Sequence, residues 1–569
     1  MKNRILAFCY LALCFLIFFA IFSHSQKEFS PYIYPEISQK NSQKIILLPL
    51  DSRPPCYDFP AQLGELGNIE VITPPLELMD QNLIPAKKDE LFLWLEKEIL
   101  HADALILSTD ALLHGGLVAS RRISPAQLTP DFQKQHEEET NRLLARLWQI
   151  KKDHPHLKIY GFSIIPRQLV SGEPPASYYE PHLYHYSQYS DKVATFELPK
   201  DLSKLADWRS ILPDEVLAQY QQIFRRNLAF NQKLIDETEK GLFTRLIIAQ
   251  DDAKPFGIPN WYRRWAEQYA HDKRLLNQTI FFTGGTDEIA QLLVAHHKLV
   301  ETGKTFNIFL YYTEKETPHR IFPFMREALD TNTYEKLRIL GATLAKSPEE
   351  ADLILAIHGG FPATDPDAWQ KAAEQIKNWL KKGYPIAITD VSRDFSKNQS
   401  LFPHLLSKKV PILELSGYAG WNTASNSLGT ALSQGILFRL GSDGLTPADS
   451  LPARRDAQAR FLLARFLDDW SYQKEFQDRK NTWLRVADRN PYELGYSSEK
   501  IAADIRNQLD SEFSSLRRQI FFDIPYRFTA PEGERIFWLT GADLNLEFPW
   551  QRTFEIRLTP TLKWKRSPQ

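Results

Sequence analysis

Eight short apolar stretches of this chain each run straight into ionisable or hydroxyl side chains: KIILLPLDSRP, ADALILSTD, KIYGFSIIPR, RLIIAQDD, TIFFTGGTDE, FNIFLYYTE, ADLILAIHGG and YPIAITDVSR. The residues that end them are Asp51, Ser52 and Arg53; Ser108 and Asp110; Arg167; Gln250, Asp251 and Asp252; Thr286, Asp287 and Glu288; His358; and Asp390 with Arg393. The adjacent carboxyls of Asp251 and Asp252 are the most pointed feature. Two close carboxylates push one pKa up and leave one acid and one base, the division of labour on which glycosidases rely. This makes Asp251 and Asp252 the candidate catalytic pair. Two other chemistries suit the same residues: capping or structural pairing, and oxygen ligation of a hard cation. Arg53, Arg121, Arg122 and Arg167 either hold an anionic group in the fork geometry of guanidinium or pair one by one with these carboxylates.

Other segments offer groups that bind rather than react. LLHGGLVASRR places His114, Gly115 and Gly116 just past one apolar run, and TGGTDE places Gly284 and Gly285 past another. Glycine lets backbone approach a ligand closely, but neither segment matches a Walker A or dinucleotide fingerprint. In GYAGWNTASNSLGTALSQG, the residues Trp421, Asn422, Thr423 and Asn426 precede a helical run of small residues. Amides that both donate and accept, beside an aromatic face, suit a neutral polar ligand such as a carbohydrate. The plainer reading is that Asn422 or Asn426 caps the helix and Trp421 is core. The substrate-binding set is therefore Asp51, Arg53, Asp110, Gly115, Gly116, Arg121, Arg167, Asp287, Trp421, Asn422 and Asn426. There is no H-E-x-x-H and no G-x-S-x-G segment, so classical zinc-protease and serine α/β-hydrolase readings drop.

Such side chains need a frame, and the pattern around them supplies one. Continuous apolar runs suit parallel strands buried on both faces, and strands that alternate with helical patterns imply βαβ units. Ligands of such sheets bind beyond the carboxyl ends of the strands. About ten strands between Ile45 and Leu415 exceed a simple eight-stranded barrel. The expected fold is α/β, with two doubly wound lobes at 44–275 and 276–445 and a decorated β/α barrel as the alternative. Residues 446–569 read as helices, including 453–475 and 498–519, followed by a small antiparallel sheet from Phe521.

Lys2 and Arg4 precede an unbroken apolar run from Ile5 to Phe22. Residues 1–25 therefore read as a signal peptide, cleaved near Ser23-His24-Ser25, or as an uncleaved membrane anchor. Residues 26–43 are a polar spacer. The remainder is expected outside the cytoplasm, secreted or anchored to the cytoplasmic membrane. Lys and Arg number 69 against 70 Asp and Glu, a formal net charge of −1. That leaves no basic footprint for nucleic acid. Of three cysteines, Cys9 and Cys14 lie in the leader, so Cys56 alone cannot build an internal disulfide or a cysteine zinc site.

The blocks LPLDSRPPCYDFP, STDALLHGGLVASR, QDDAKPFG, GTDE, GYAGWNTASNSLGTALSQ and FPWQRTFEI resemble the bacterial Domain-of-Unknown-Function 4127 family. They run in one order from about Leu48 to Ile556. The resemblance implies a bacterial source and marks Asp51, Arg53, Asp110, Gly115, Gly116, Arg121, Asp251, Asp252, Asp287, Trp421, Asn422 and Asn426 as residues of shared motifs, without assigning them roles. It departs from this sequence at His114, where a tyrosine is expected, and after Asp390. The functional expectation is an exported hydrolase of a glycan or cell-envelope saccharide. The alternatives are a non-catalytic envelope protein that binds a polar ligand between lobes, and a metal-dependent hydrolase using Asp51, Asp110, Asp251 and Asp287. The ligand is a small molecule or glycan, with the membrane a partner if the leader is retained. No cofactor and no metal are expected.

Overall fold

Side chains alternate across each strand, and here the alternation divides the buried parallel strands between two cores. In a computed structural model of the chain, residues 43–169, 174–361, 367–391, 397–441, 450–520, 526–530 and 533–566 are described. The leader and nearly all of the spacer lie outside these residues, as does Arg393. No helix among the described residues is long and apolar enough to cross a membrane.

The first sheet contains β1 (Gln43–Leu48), β2 (Ile69–Ile72), β3 (Ala104–Ser108), β4 (Lys158–Ile165), β5 (Arg245–Gln250) and β6 (Ile280–Gly284), in the order β2-β1-β3-β4-β5-β6. The second contains β7 (Asn307–Tyr312), β8 (Thr343–Leu344), β9 (Leu353–His358), β10 (Ile386–Asp390) and β11 (Gly417–Ala419), in the order β11-β10-β9-β7-β8. Every pairing in both sheets is parallel. Read from β8, the second sheet repeats the order of the first five strands of the first sheet, the 2-1-3-4-5 winding of open α/β sheets. All eight apolar runs are strands. The two open sheets leave the barrel alternative without support. The change of sheet falls after β6, between Gly284 and Asn307, and not at residue 275, because β6 hydrogen-bonds to β5.

Ile45 and Leu47 point into one core while Ile46 and Leu48 point into another. In the second sheet Leu353, Leu355 and Ile357 join the core of Ile45, and Ile354 and Ala356 face a third. The two sheets thus share a single apolar layer. It is filled by the helices Pro54–Leu66, Ile289–Thr302 and Ala424–Leu440. The last of these is buried on nearly every side, which explains its small residues. A Cβ at Gly435 would press on Leu353, and one at Gly429 on Glu288. A lobe-by-lobe division understates this, because the lobes are welded through one core.

Beyond Leu440, the helix Ser450–Arg465 passes into a π-helical stretch, Phe466–Phe476, and then into Gln477–Val486. The helix Ser498–Ile520 leads to a three-stranded antiparallel sheet of β12 (Tyr526–Ala530), β13 (Gly533–Glu547) and β14 (Arg557–Arg566). The β13–β14 connection, 548–556, turns back onto the first sheet. There Trp550 Nε1 donates to Ser52 Oγ at 2.7 Å, and Arg557 Nη2 donates to the Ser52 carbonyl at 3.1 Å.

Candidate active site

Asp51 follows β1 and is fully buried. Its carboxylate accepts from Arg53 Nη2 at 2.6 Å and Nε at 3.0 Å. Pro54 and Pro55 open the next helix, where a missing N–H costs nothing, and this pins Arg53 at the helix N-cap with extended backbone. The same guanidinium donates to Asp287 at 2.7 and 3.2 Å and lies 5.3 Å from the Trp550 ring. Arg53 is therefore a clasp between the ends of β1 and β6, with an indole over it. Its two aspartates hold it charged, its pKa well above the usual arginine value despite the desolvation of burial.

Asp251 and Asp252 follow β5. The Asp251 N–H continues the ladder by donating to Ile165 O at 3.1 Å, and its side chain is ion-paired with Arg121. Burial brings Arg121 down to about 10. Asp252 N–H donates to Asp251 Oδ1 at 2.8 Å. The Asp252 carboxyl is 36% exposed and stands 3.7 Å from Arg167 Nη1. Desolvation, then the neighbouring Asp251 charge, raise its pKa to about 6, against the opposing pull of Arg121 and Arg167. Neither aspartate caps a helix, because the next one starts at Ile258 behind Gly257.

These groups line a cleft of 530 Å³ whose walls include Arg53, Arg121, Arg167, Glu180, Asp251, Asp252, Asp287, Asn422, Asn426, Trp550, Arg552 and Phe554. Below Asp287, Glu288 is fully buried and accepts from Lys336 Nζ at 2.5 Å and from Asn426 Nδ2 at 2.6 Å. This ties the helix Ala424–Leu440 to the end of β6. Thr423 caps that helix, accepting from the Asn426 N–H at 3.2 Å, so neither Asn422 nor Asn426 is the cap. Asn422 instead takes a left-handed backbone (φ 49) at the cleft wall.

The strand-end rule thus brings Arg53, Arg121, Arg167, Asp251, Asp252, Asp287, Asn422 and Asn426 into one cleft. Five other members of the expected substrate-binding set do not line it. Asp51 stands behind Arg53 and positions it. Asp110 turns inward: Oδ2 accepts from the Ile164 N–H at 2.9 Å, and burial lifts its pKa to about 7. Gly115 is the left-handed cap of the helix Thr109–His114, and Gly116 packs on Asp80. Trp421 offers no stacking face to this cleft. Its ring is 4% exposed, meets Phe59 edge-on at 6.0 Å, and donates to Thr430 at 3.2 Å. His114 stacks on His136 at 5.3 Å, away from the cleft, and burial holds it neutral. In the second sheet His358 and Asp390 satisfy local partners. His358 sits 2.8 Å from Thr313 Oγ1, and Asp390 accepts from Leu401 N–H at 2.9 Å and Tyr418 OH at 3.0 Å.

Trp550, Arg552 and Phe554 escaped the strand-end rule because they arrive from the β13–β14 connection. The block FPWQRTFEI was the only trace of them. Among the described residues, one trio has metal-ligand spacing: Asp51, Cys56 and Asp287. It joins only two of the four acids of the metal-dependent reading. Arg53 already lies between its carboxylates, and burial, with the charges of Asp51 and Asp287, keeps the Cys56 thiol protonated. A second cation would have to displace that guanidinium, so the donor set does not fit a metal.

The model of a family described as a protein of unknown function, DUF4127, matches residues 45–559. The chain belongs to that family. The match takes in both parallel sheets, the helical segment and the connection that carries Trp550. No curated protein and no solved structure matches the chain.

Proposed function

We propose that this DUF4127 member is an exported hydrolase of a glycan or cell-envelope saccharide, with Asp252 as its acid–base residue. The observation that carries this reading is the contrast between neighbours. Asp252 reaches the cleft with a pKa of about 6, while Asp251 is buried beside it in an ion pair with Arg121. A carboxyl that exchanges its proton near neutrality, next to a second fixed carboxylate, matches the division of labour in glycoside hydrolysis. Asp252 donates its proton to the glycosidic oxygen as the C–O bond breaks. Asp251 supplies negative charge toward the cationic carbon, and Asp252, now ionised, takes a proton from the water that completes the product. The Asn422 amide at the cleft wall suits a hydroxyl group, while the buried Asn426 amide is taken up by Glu288 and Asn422. Export is supported by the leader sequence, with the segment either removed or kept as an anchor.

A second reading, a non-catalytic protein that holds a polar ligand, is favoured by one specific observation. Each aspartate lining the cleft faces an arginine: Asp251 faces Arg121, Asp252 faces Arg167 and Asp287 faces Arg53. Asp252→Asn separates the two. The hydrolase reading expects turnover of envelope-type glycans to vanish while ligand affinity stays within a few-fold. It also expects wild-type turnover to fall as pH rises through about 6, where the acid loses its proton. Full turnover by Asp252→Asn would remove this residue from the mechanism. Affinity without any turnover in the wild type would leave the binding reading.

A further inference from the structure

The cleft does not end at Asp252. A second chamber of 390 Å³ lies on the far side, lined by Pro54, Pro55, Trp421, Gln473, Gln477 and Ile556 among others. The chambers share Arg53, Arg167, Asp252, Phe324, Asn422 and Phe554. The acid–base residue therefore sits at a waist, with space on both sides. Each chamber alone falls within the ~300–1,000 Å³ of a pocket for one small ligand, so each has room for a unit of its own.

Two aromatic rings mark the waist. Phe554 is 41% exposed and Phe324 is 44% exposed. Phe324 also holds a left-handed backbone, φ 65, a strained state for a bulky side chain. Its carbonyl accepts from the Ala253 N–H at 3.1 Å, which ties it to the residue after Asp252. Strain kept beside an exposed ring and next to the acid is expected of a residue placed for a ligand. The second chamber has its own polar fittings. The π-helical stretch contributes Asp468, Gln473 and Lys474; such helices recur at functional sites. Gln473 Oε1 accepts from the Asn422 N–H at 3.0 Å, linking the two chambers' walls.

We propose that the substrate is an oligosaccharide with at least one unit in each chamber, cut internally at the waist between Phe324 and Phe554. This rests on the hydrolase reading and adds the substrate's length and the position of the broken bond. The test uses β-linked N-acetylhexosamine oligomers of increasing length, together with the single-unit aryl glycoside, measured for both cleavage and binding. The expected result is internal cleavage products and an efficiency that rises by about tenfold or more once units fill both sides, equivalent to ~1.4 kcal/mol per tenfold. Phe324→Gly suits the left-handed backbone and removes only the ring; it should flatten that rise, as should Phe554→Ala. Efficient cleavage of the single unit, with no gain from length but abolished by Asp252→Asn, would overturn the two-chamber proposal and leave the hydrolase reading standing. Affinity that rises with length in the absence of cleavage would overturn the hydrolase reading and the internal cut together. No cleavage and no binding of any oligomer would overturn both.

Discussion

Asp110 offers a quantitative check on how its burial acts. Its side chain is fully buried, its Oδ2 accepts from the Ile164 N–H at 2.9 Å, and it does not line the cleft. Burial raises its pKa from 3.8 to about 7, opposed by the Ile164 N–H and the Ser163 hydroxyl. The sign follows from proton counting. Between those values the folded chain holds a proton that the unfolded chain has released, so stability falls as pH rises through this window. Below 3.8 both states are protonated and nothing is lost. Above about 7 the folded state carries the full cost of a buried charge, ~4 kcal/mol at ~1.4 kcal/mol per pH unit. Asp110→Asn keeps an oxygen for Ile164 and cannot ionise. In urea unfolding from pH 4 to pH 9 the variant should match the wild type within about 1 kcal/mol at the acid end. It should become the more stable protein by several kcal/mol, up to ~4, at the alkaline end. Ligand affinity should be unchanged. Stability curves that run parallel across the whole range would refute the reasoning, because the carboxyl would then be ionised in the folded protein throughout.

Three further substitutions probe other parts of the same frame. Lys336→Met strands the fully buried Glu288 without its cation and should cost about 3–5 kcal/mol in denaturant unfolding; adding Glu288→Gln should recover part of this, and a loss below ~1 kcal/mol would contradict the pairing. Arg121→Met removes the strongest influence that lowers the Asp252 pKa, so the fall of turnover with pH should move above 6, and an unmoved limb would count against Asp252 as the titrating group. Trp550→Phe removes the hydrogen bond to Ser52 and part of a buried indole and should cost about 1–3 kcal/mol, whereas Trp550→Ala should cost ~3–5 kcal/mol and weaken ligand binding; equal, small losses would show that the ring is not a wall of the cleft.

The parallel strands were legible because burial on both faces leaves a continuous apolar run, as in Ile45–Leu48 and Leu353–Ile357. Strands without such a run were invisible: β2 is mostly half-buried, while β8 and β11 span two and three residues. The boundary at 275 failed because β6 looks the same whichever sheet it joins. Only its pairing with β5 decides the matter. For the site, the strand-end rule found side chains that leave a strand and face the crevice. It could not tell Asp252, which faces the cleft, from Asp110, which turns back to Ile164. Asp110 stands in the first turn of the helix Thr109–His114, whereas Asp252 lies in the open segment ahead of Ile258. Trp421 was ambiguous because an aromatic ring beside asparagines reads alike in a core and in a cleft; it is buried edge-on to Phe59 and only borders the second chamber. Trp550 was out of reach because its partners Ser52 and Arg53 lie almost the whole chain away.

That separation has a consequence in time. The Ser52–Trp550 hydrogen bond spans 498 residues. At ~5–20 residues per second, the ribosome needs on the order of 25–100 s to go from one partner to the other. Throughout that interval the growing chain has the strand ends, and then the acids, but not the wall that carries Trp550, Arg552 and Phe554. A nascent chain therefore has no finished cleft to engage a ligand, and the site comes into being only after the segment that carries Trp550, Arg552 and Phe554 has been made.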